Sequence, residues 1–231
     1  MKYDNCISTL ILKLRENMRK IVLLLSTLLF LTGVSAKADV QFGFGLMTGQ
    51  VSTSGTETEG TAADTSVRDK SFDEFFYGAD LFAEFVADNG MTVGLAYVPV
   101  DFELGSGSRT DTAVATAKGG AENDTGTRTA SADVTDLTTL YTNIPMGSNG
   151  WYGLLGYHMA TITTAETLNE SSYGNDDITG YQVGIGQRID KFKYELSYSD
   201  FEDISLSSSG GNTNSITADA DAVTFRLSIG F

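Results

Sequence analysis

The chain has 231 residues, with 15 Lys and Arg against 30 Asp and Glu, a formal net charge of −15 and a single cysteine, Cys6. Such acidity repels nucleic acid and leaves no basic patch for an anionic surface. One cysteine excludes a disulfide framework and a cysteine-built metal centre.

The first element is a leader. Met18-Arg19-Lys20 precedes an apolar run from Ile21 to Val34, and Ala36-Lys37-Ala38 follows. A positive start, an apolar stretch too short for a comfortable membrane-spanning helix and an A-x-A site predict a cleaved secretory signal peptide. Residues 1–38 are therefore expected to be an N-terminal extension plus leader, with Met18 as the natural start, and residues 39–231 the working domain. Six of the basic and two of the acidic residues precede Asp39, which leaves nine against 28 and a net charge of −19 for that domain.

Beyond the leader, period-two alternation predicts eight β-strands. They cover Val40–Thr48, Phe75–Val86, Met91–Val100, Val134–Ile144, Trp151–Thr163, Ile178–Ile189, Phe192–Tyr198 and Ala222–Phe231. No segment has a helical period. The connections alternate long, short, long, short, long, short, long. Long polar segments are expected over Val51–Ser71, Gly105–Ser131, Thr164–Asp177 and Ser207–Ala218. The short ones are ADNG, PMGSNG and the two-residue DK. Placing every long loop at one end is the habit of a membrane-spanning barrel, not of a soluble sandwich.

The two faces of the strands agree. Val40, Phe42, Phe44 and Leu46 oppose Gln41, Gly43 and Gly45. Tyr181, Val183, Ile185 and Ile189 oppose Gln182, Gly184, Gly186 and Arg188. In a barrel the apolar face meets lipid and the polar face points inward, and closure leaves no unpaired edge in the bilayer. The fourth and fifth strands alternate less cleanly, because Thr139, Leu140 and Leu154 fall on the unexpected side. Phe42, Phe85, Tyr141, Trp151, Phe192 and Phe231 are expected to form one aromatic girdle, and Tyr77, Tyr97, Tyr181 and Tyr198 the other. Pro99 cannot donate to a ladder and marks a bulge or a rim.

The last strand ends on Phe225, Leu227, Ile229 and Phe231, apolar at every second position. Here the chain resembles the small eight-stranded outer-membrane β-barrel proteins of Gram-negative bacteria, of the opacity and outer-membrane protein X or W kind. It carries no motif of one subfamily. The resemblance implies an all-β, antiparallel up-and-down barrel with short periplasmic turns and long extracellular loops. It also implies that the assembly machinery of the outer membrane recognises Phe225, Leu227, Ile229 and Phe231. Outer-membrane lipid and lipopolysaccharide would surround a monomer, and an unknown extracellular partner would meet the loops.

Chemistry-bearing residues are sparse. The only histidine, His158, is followed by Met159 and Ala160, so the His-x-Ser of lipid A deacylases is missing. GFGLMTG lacks phosphate-loop spacing, and ADADA and GNDD lack a calcium-loop pattern. No catalytic residue, cofactor or metal is expected. Asp80, Glu84, Arg188, Lys193, Glu195 and Arg226 lie on the inward face and are expected to pair in the lumen. Arg226 is expected to meet Glu84 and Glu195, with Asp80 one layer higher. The expected function is non-enzymatic: envelope structure, or surface interaction through the loops. The alternative is a narrow passive conduit for small or apolar solutes. A lipid-modifying enzyme ranks below both.

Overall fold

The computed structural model describes residues 39–61, 64–111, 126–167, 172–209 and 214–231. The predicted leader lies outside these residues. No described helix is long and apolar enough to cross a membrane, which says nothing of strands.

Ten strand segments occur: β1 Asp39–Thr61, β2 Asp64–Val86, β3 Thr92–Tyr97, β4 Phe102–Asp111, β5 Gly126–Pro145, β6 Trp151–Glu166, β7 Asn175–Ile189, β8 Phe192–Phe201, β9 Ile204–Ser207 and β10 Ser215–Gly230. Neighbours pair antiparallel, and β1 closes the sheet on β10 from Gly43–Gly230 to Thr58–Ser215. The ring has eight wall positions. β4 continues the position of β3, since both pair β5, and β9 continues that of β8, since both pair β10. The extra segments thus add no staves to the barrel. Pro99 sits in the first interruption, where the β2–β3 ladder ends at Leu81–Tyr97.

The strands outrun their expected lengths. Val51–Ser71 was expected to be a loop but is largely β1 and β2, and Gly105–Ser131 and Ser207–Ala218 also contain strand. The ladder there is held by polar cross-strand pairs such as Ser52 to Asp73 (2.8 Å) and Thr56 to Asp69 (2.7 Å). Threonine suits a pleated strand, but a strand that leaves the bilayer loses its outward apolar face and stops looking like one.

Below, the connections are tight. Gly90 (φ 82°) turns the β2–β3 link, and Asp190 (φ 54°) the two-residue β7–β8 link. Aspartate tolerates this left-handed conformation better than most residues.

The irregular fourth strand has a local cause. Register slips between Thr135 and Thr138, with Asp136 at φ 54°. A bulge adds one residue, so every side chain beyond it changes face. Val134 is buried above the bulge; Thr139, Tyr141 and Asn143 are buried below it. Tyr141 therefore points into the lumen and does not belong to the lower girdle as expected. The other girdle residues face outward: Phe42, Phe85, Trp151, Phe192 and Phe231 below, Tyr77, Tyr97, Tyr181 and Tyr198 above.

Candidate functional site

The polarity of the wall inverts along each strand. In the lower half the outside is apolar: Phe42, Phe44, Leu81, Val183, Leu196 and Phe225 are all exposed. The inside there is polar, with Asp80, Glu84, Lys193 and Glu195 almost fully buried. In the upper half the inside is apolar, with Val51, Val98, Phe102, Leu104, Val134, Ile162, Ile178 and Ala222 in one buried cluster. Their outward neighbours Asp101, Glu103, Asp177 and Asp219 are exposed. An apolar exterior is stable only against lipid, and an acidic one only against water. The plane between them is marked by the upper tyrosines. This is the fold of an outer-membrane β-barrel.

Solved barrels of that kind resemble it. Outer membrane protein OprG from Pseudomonas aeruginosa is 11% identical, over 82% of this chain and 96% of that one, with a TM-score of 0.48. Neisserial surface protein A is 7% identical over 81% and 97%, with a TM-score of 0.37. Ail, the attachment invasion locus protein of Yersinia pestis, crystallised with the heparin analogue sucrose octasulfate, is 12% identical over 81% and 99%, with a TM-score of 0.35. At such identities the likeness concerns fold alone. No family model and no curated protein matches the chain.

The lower lumen is filled by two linked ion clusters. Arg226 on β10 grips Asp80 on β2 with both Nε (2.7 Å) and Nη2 (2.6 Å), and its Nη1 donates to Glu195. Glu84 accepts from Lys193 Nζ (2.7 Å), Arg188 Nη2 (2.8 Å) and the Tyr141 hydroxyl (3.0 Å). The Tyr152 hydroxyl donates to Glu195 (2.8 Å). All six sequence-singled charges therefore take part, but the partners differ from expectation. Arg226 meets Asp80 and Glu195, not Glu84, and Asp80 stands two inward positions above Glu84 on β2, with Phe82 between them. Height counted from the turns ignores the stagger that tilted strands impose on a barrel. Gly45 clears the way: a Cβ there would stand 2.5 Å from Asp80 Oδ2 and 2.7 Å from Arg226 Nε.

Three carboxylates face three cations, so the cluster is neutral. A narrow interior makes an unpaired charge expensive, and fork-shaped Arg226 satisfies two carboxylates at once. Aromatic rings complete the packing. Lys193 Nζ lies 4.3 Å from the Phe82 ring centroid, and the Arg226 guanidinium carbon 5.0 Å from the same ring. Phe82, Tyr141, Tyr152 and Leu154 are lumen residues that alternation alone did not single out. The signal was the excess of inward glycines, since Gly94 and Gly186 are the slots into which Tyr141 and Tyr152 fit.

Above this plug lies a cavity of about 100 Å³, lined by Phe76, Val98, Phe102, Val134, Ile178 and Ala222 among others, with Thr139, His158 and Ser199 on its wall. His158 Nδ1 is 2.8 Å from Thr139 Oγ1, its Nε2 3.0 Å from Ser199 Oγ, and its ring stacks on Phe201. The sequence offered no His-x-Ser, yet folding supplies a serine to this histidine. The third member is a hydroxyl, which cannot balance an imidazolium as a carboxylate does.

Tyr173 belongs to the β6–β7 connection and is buried in the apolar cluster. Its hydroxyl donates to Glu57 of β1 (3.0 Å), and its backbone N–H donates to Glu166 (2.7 Å).

Among the described residues no group of three or more His, Cys, Asp or Glu side chains is arranged to hold a metal. The terminal quartet Phe225, Leu227, Ile229 and Phe231 shares the outward face of the β10 strand and its end, the face opposite Arg226.

Proposed function

We propose that the chain is a non-enzymatic protein of the Gram-negative outer membrane that acts as a closed, rigid post, holding an acidic surface above the bilayer to meet an extracellular partner. The carrying observation is the inversion of polarity, with the ion plug below it. The strands continue past the membrane as a water-facing barrel with its own apolar core, which is a scaffold for surface display. Asp101, Glu103, Asp177, Asp203 and Asp219 on its exterior favour a cationic partner by charge complementarity.

Two measurements test this. The folded protein in a planar bilayer should pass no steady ion current. Proteoliposomes displaying it should bind a polylysine-coated surface in low salt, lose that binding in high salt, and ignore a heparin-coated surface. Open-channel conductance, or salt-resistant binding to heparin, would overturn the reading. The second reading, uptake of small apolar solutes, is favoured by the apolar upper lumen and by the break in the wall at Pro99. It predicts faster entry of a small hydrocarbon into vesicles that carry the barrel.

A further inference from the structure

We propose that the tight-turn end of the lumen is a binding site for one small monovalent anion of the halide class, held between Arg188 and Asn143. This goes beyond surface display and does not depend on it.

Charge sets the sign of the ligand. The six lumen charges are neutral as a set but not layer by layer. Arg226 alone serves both Asp80 and Glu195 in the upper layer. In the layer nearest the tight turns, Glu84 alone faces both Arg188 and Lys193. That layer therefore carries one surplus positive charge. Arg188 and Lys193 are also direct cross-strand partners, an arrangement in which like charges repel.

Hydrogen bonding points the same way. Both Glu84 oxygens are taken, Oε1 by Arg188 and Oε2 by Lys193 and Tyr141. An arginine has five N–H groups and a lysine three, and Glu84 accepts one from each. Among the described residues, the buried side-chain atoms without a hydrogen-bond partner in the protein are Nδ2 and Oδ1 of Asn143 and Oγ of Ser228. Both residues belong to this layer. Ser228 is the cross-strand partner of Lys193. Asn143 is that of Thr92, whose hydroxyl oxygen lies 3.5 Å from Arg188 Nη2 and keeps its own O–H to give. A buried amide left unpaired is unfavourable. A surplus of donors beside a surplus of positive charge selects an anion over a water molecule.

The surroundings set the class. Phe82, Tyr141 and Leu154 form a buried apolar cluster against this layer. A doubly charged oxyanion would shed more water there than the donors replace, whereas chloride or bromide sheds less. Entry is from the tight-turn side, because the Arg188 side chain is 25% exposed while those of Lys193 and Glu84 are 2% and 1%. Asp80 and Glu195 stand above and repel an anion, so the site is a dead end and passes no current.

The test titrates full-length mature barrel in lipid nanodiscs with sodium bromide against sodium gluconate at constant ionic strength. The expected result is a saturable shift of the Arg188 Nε and Asn143 side-chain amide NMR signals. At ten times the half-saturating bromide concentration, the folded-to-unfolded ratio in urea should rise about tenfold. Sodium sulfate at the same ionic strength should do neither. Asn143→Asp builds a carboxylate at the site, so this variant should ignore bromide and, in gluconate, be more stable than the parent. Should Asn143→Asp not fold, Arg188→Gln serves instead: it removes the surplus charge, leaves the Glu84–Lys193 pair, and must abolish the response to bromide. Signals that do not move, a shift linear in bromide, an equal response to sulfate, or a response retained in either variant would refute the site.

Discussion

Arg226 ties two buried carboxylates together in the lower lumen. Its fork holds Asp80, its remaining arm holds Glu195, and its face covers Phe82. Arg226→Ala should cost about 3–5 kcal/mol, because two buried carboxylates are left without a counter-charge. Adding Asp80→Asn should recover part of the loss, whereas adding Glu84→Gln should not, since Glu84 answers to Lys193 and Arg188. Unfolding from lipid or detergent by urea, run as two double-mutant cycles, measures this. Coupling of Arg226 to Glu84 as large as to Asp80 would contradict the geometry. On the rim, the Asp203 carboxyl is raised above its ordinary range by a hydrogen bond to Asp219 and by that residue's charge. A raised acid in the folded state favours folding at low pH and loses that contribution as pH climbs through its folded value. Asp203→Asn should therefore stabilise slightly at neutral pH, with the gain fading below about pH 4. A pH series of melting curves checks it, and an equal gain at every pH would rule out the pairing. Asp203 is fully exposed, so the shift in melting temperature should be small.

At the scale of the element, β10 has two duties on its two faces. Inward it carries Arg226 and Ser228; outward it carries Phe225, Leu227 and Ile229, with Phe231 beyond. It also closes the ring on β1, where the Phe231 N–H donates to the Phe42 carbonyl (2.8 Å). Phe231→Lys or deletion of Phe231 should leave export intact and block assembly, with protein accumulating in the periplasm or degraded. Fractionation and heat-modifiable gel mobility measure this; normal amounts of folded variant in the outer membrane would refute it. β5 shows how one residue redirects an element. The bulge at Asp136 lets Val134 and Tyr141 both point inward although seven positions separate them, an odd interval that plain alternation forbids. The irregular pattern of the fourth strand was visible in the sequence as a fault. Its meaning was not, because a bulge is fixed by the partner strand's register.

For the whole molecule, the long connections should lie outside the cell and the tight turns in the periplasm. An epitope inserted at Gly119 or Gly210, both outside the described residues, should be reached by antibody on intact cells, and one at Asn89 should not. The reverse pattern would invert the topology. Eight wall positions, ring closure, the two girdles apart from Tyr141 and the set of lumen charges follow from period-two alternation and connection length. These are local properties: the side chain's face is decided by its parity along the strand, and lipid or water on that face by its own hydropathy. The partners of Arg226, the serine beside His158, the apolar chamber and the bond from Tyr173 to Glu57 do not follow from them. Each joins residues more than thirty positions apart, on strands whose relative height depends on tilt and stagger around the closed ring. The sequence determined which side chains enter the lumen, and only the closed barrel decided which of them meet.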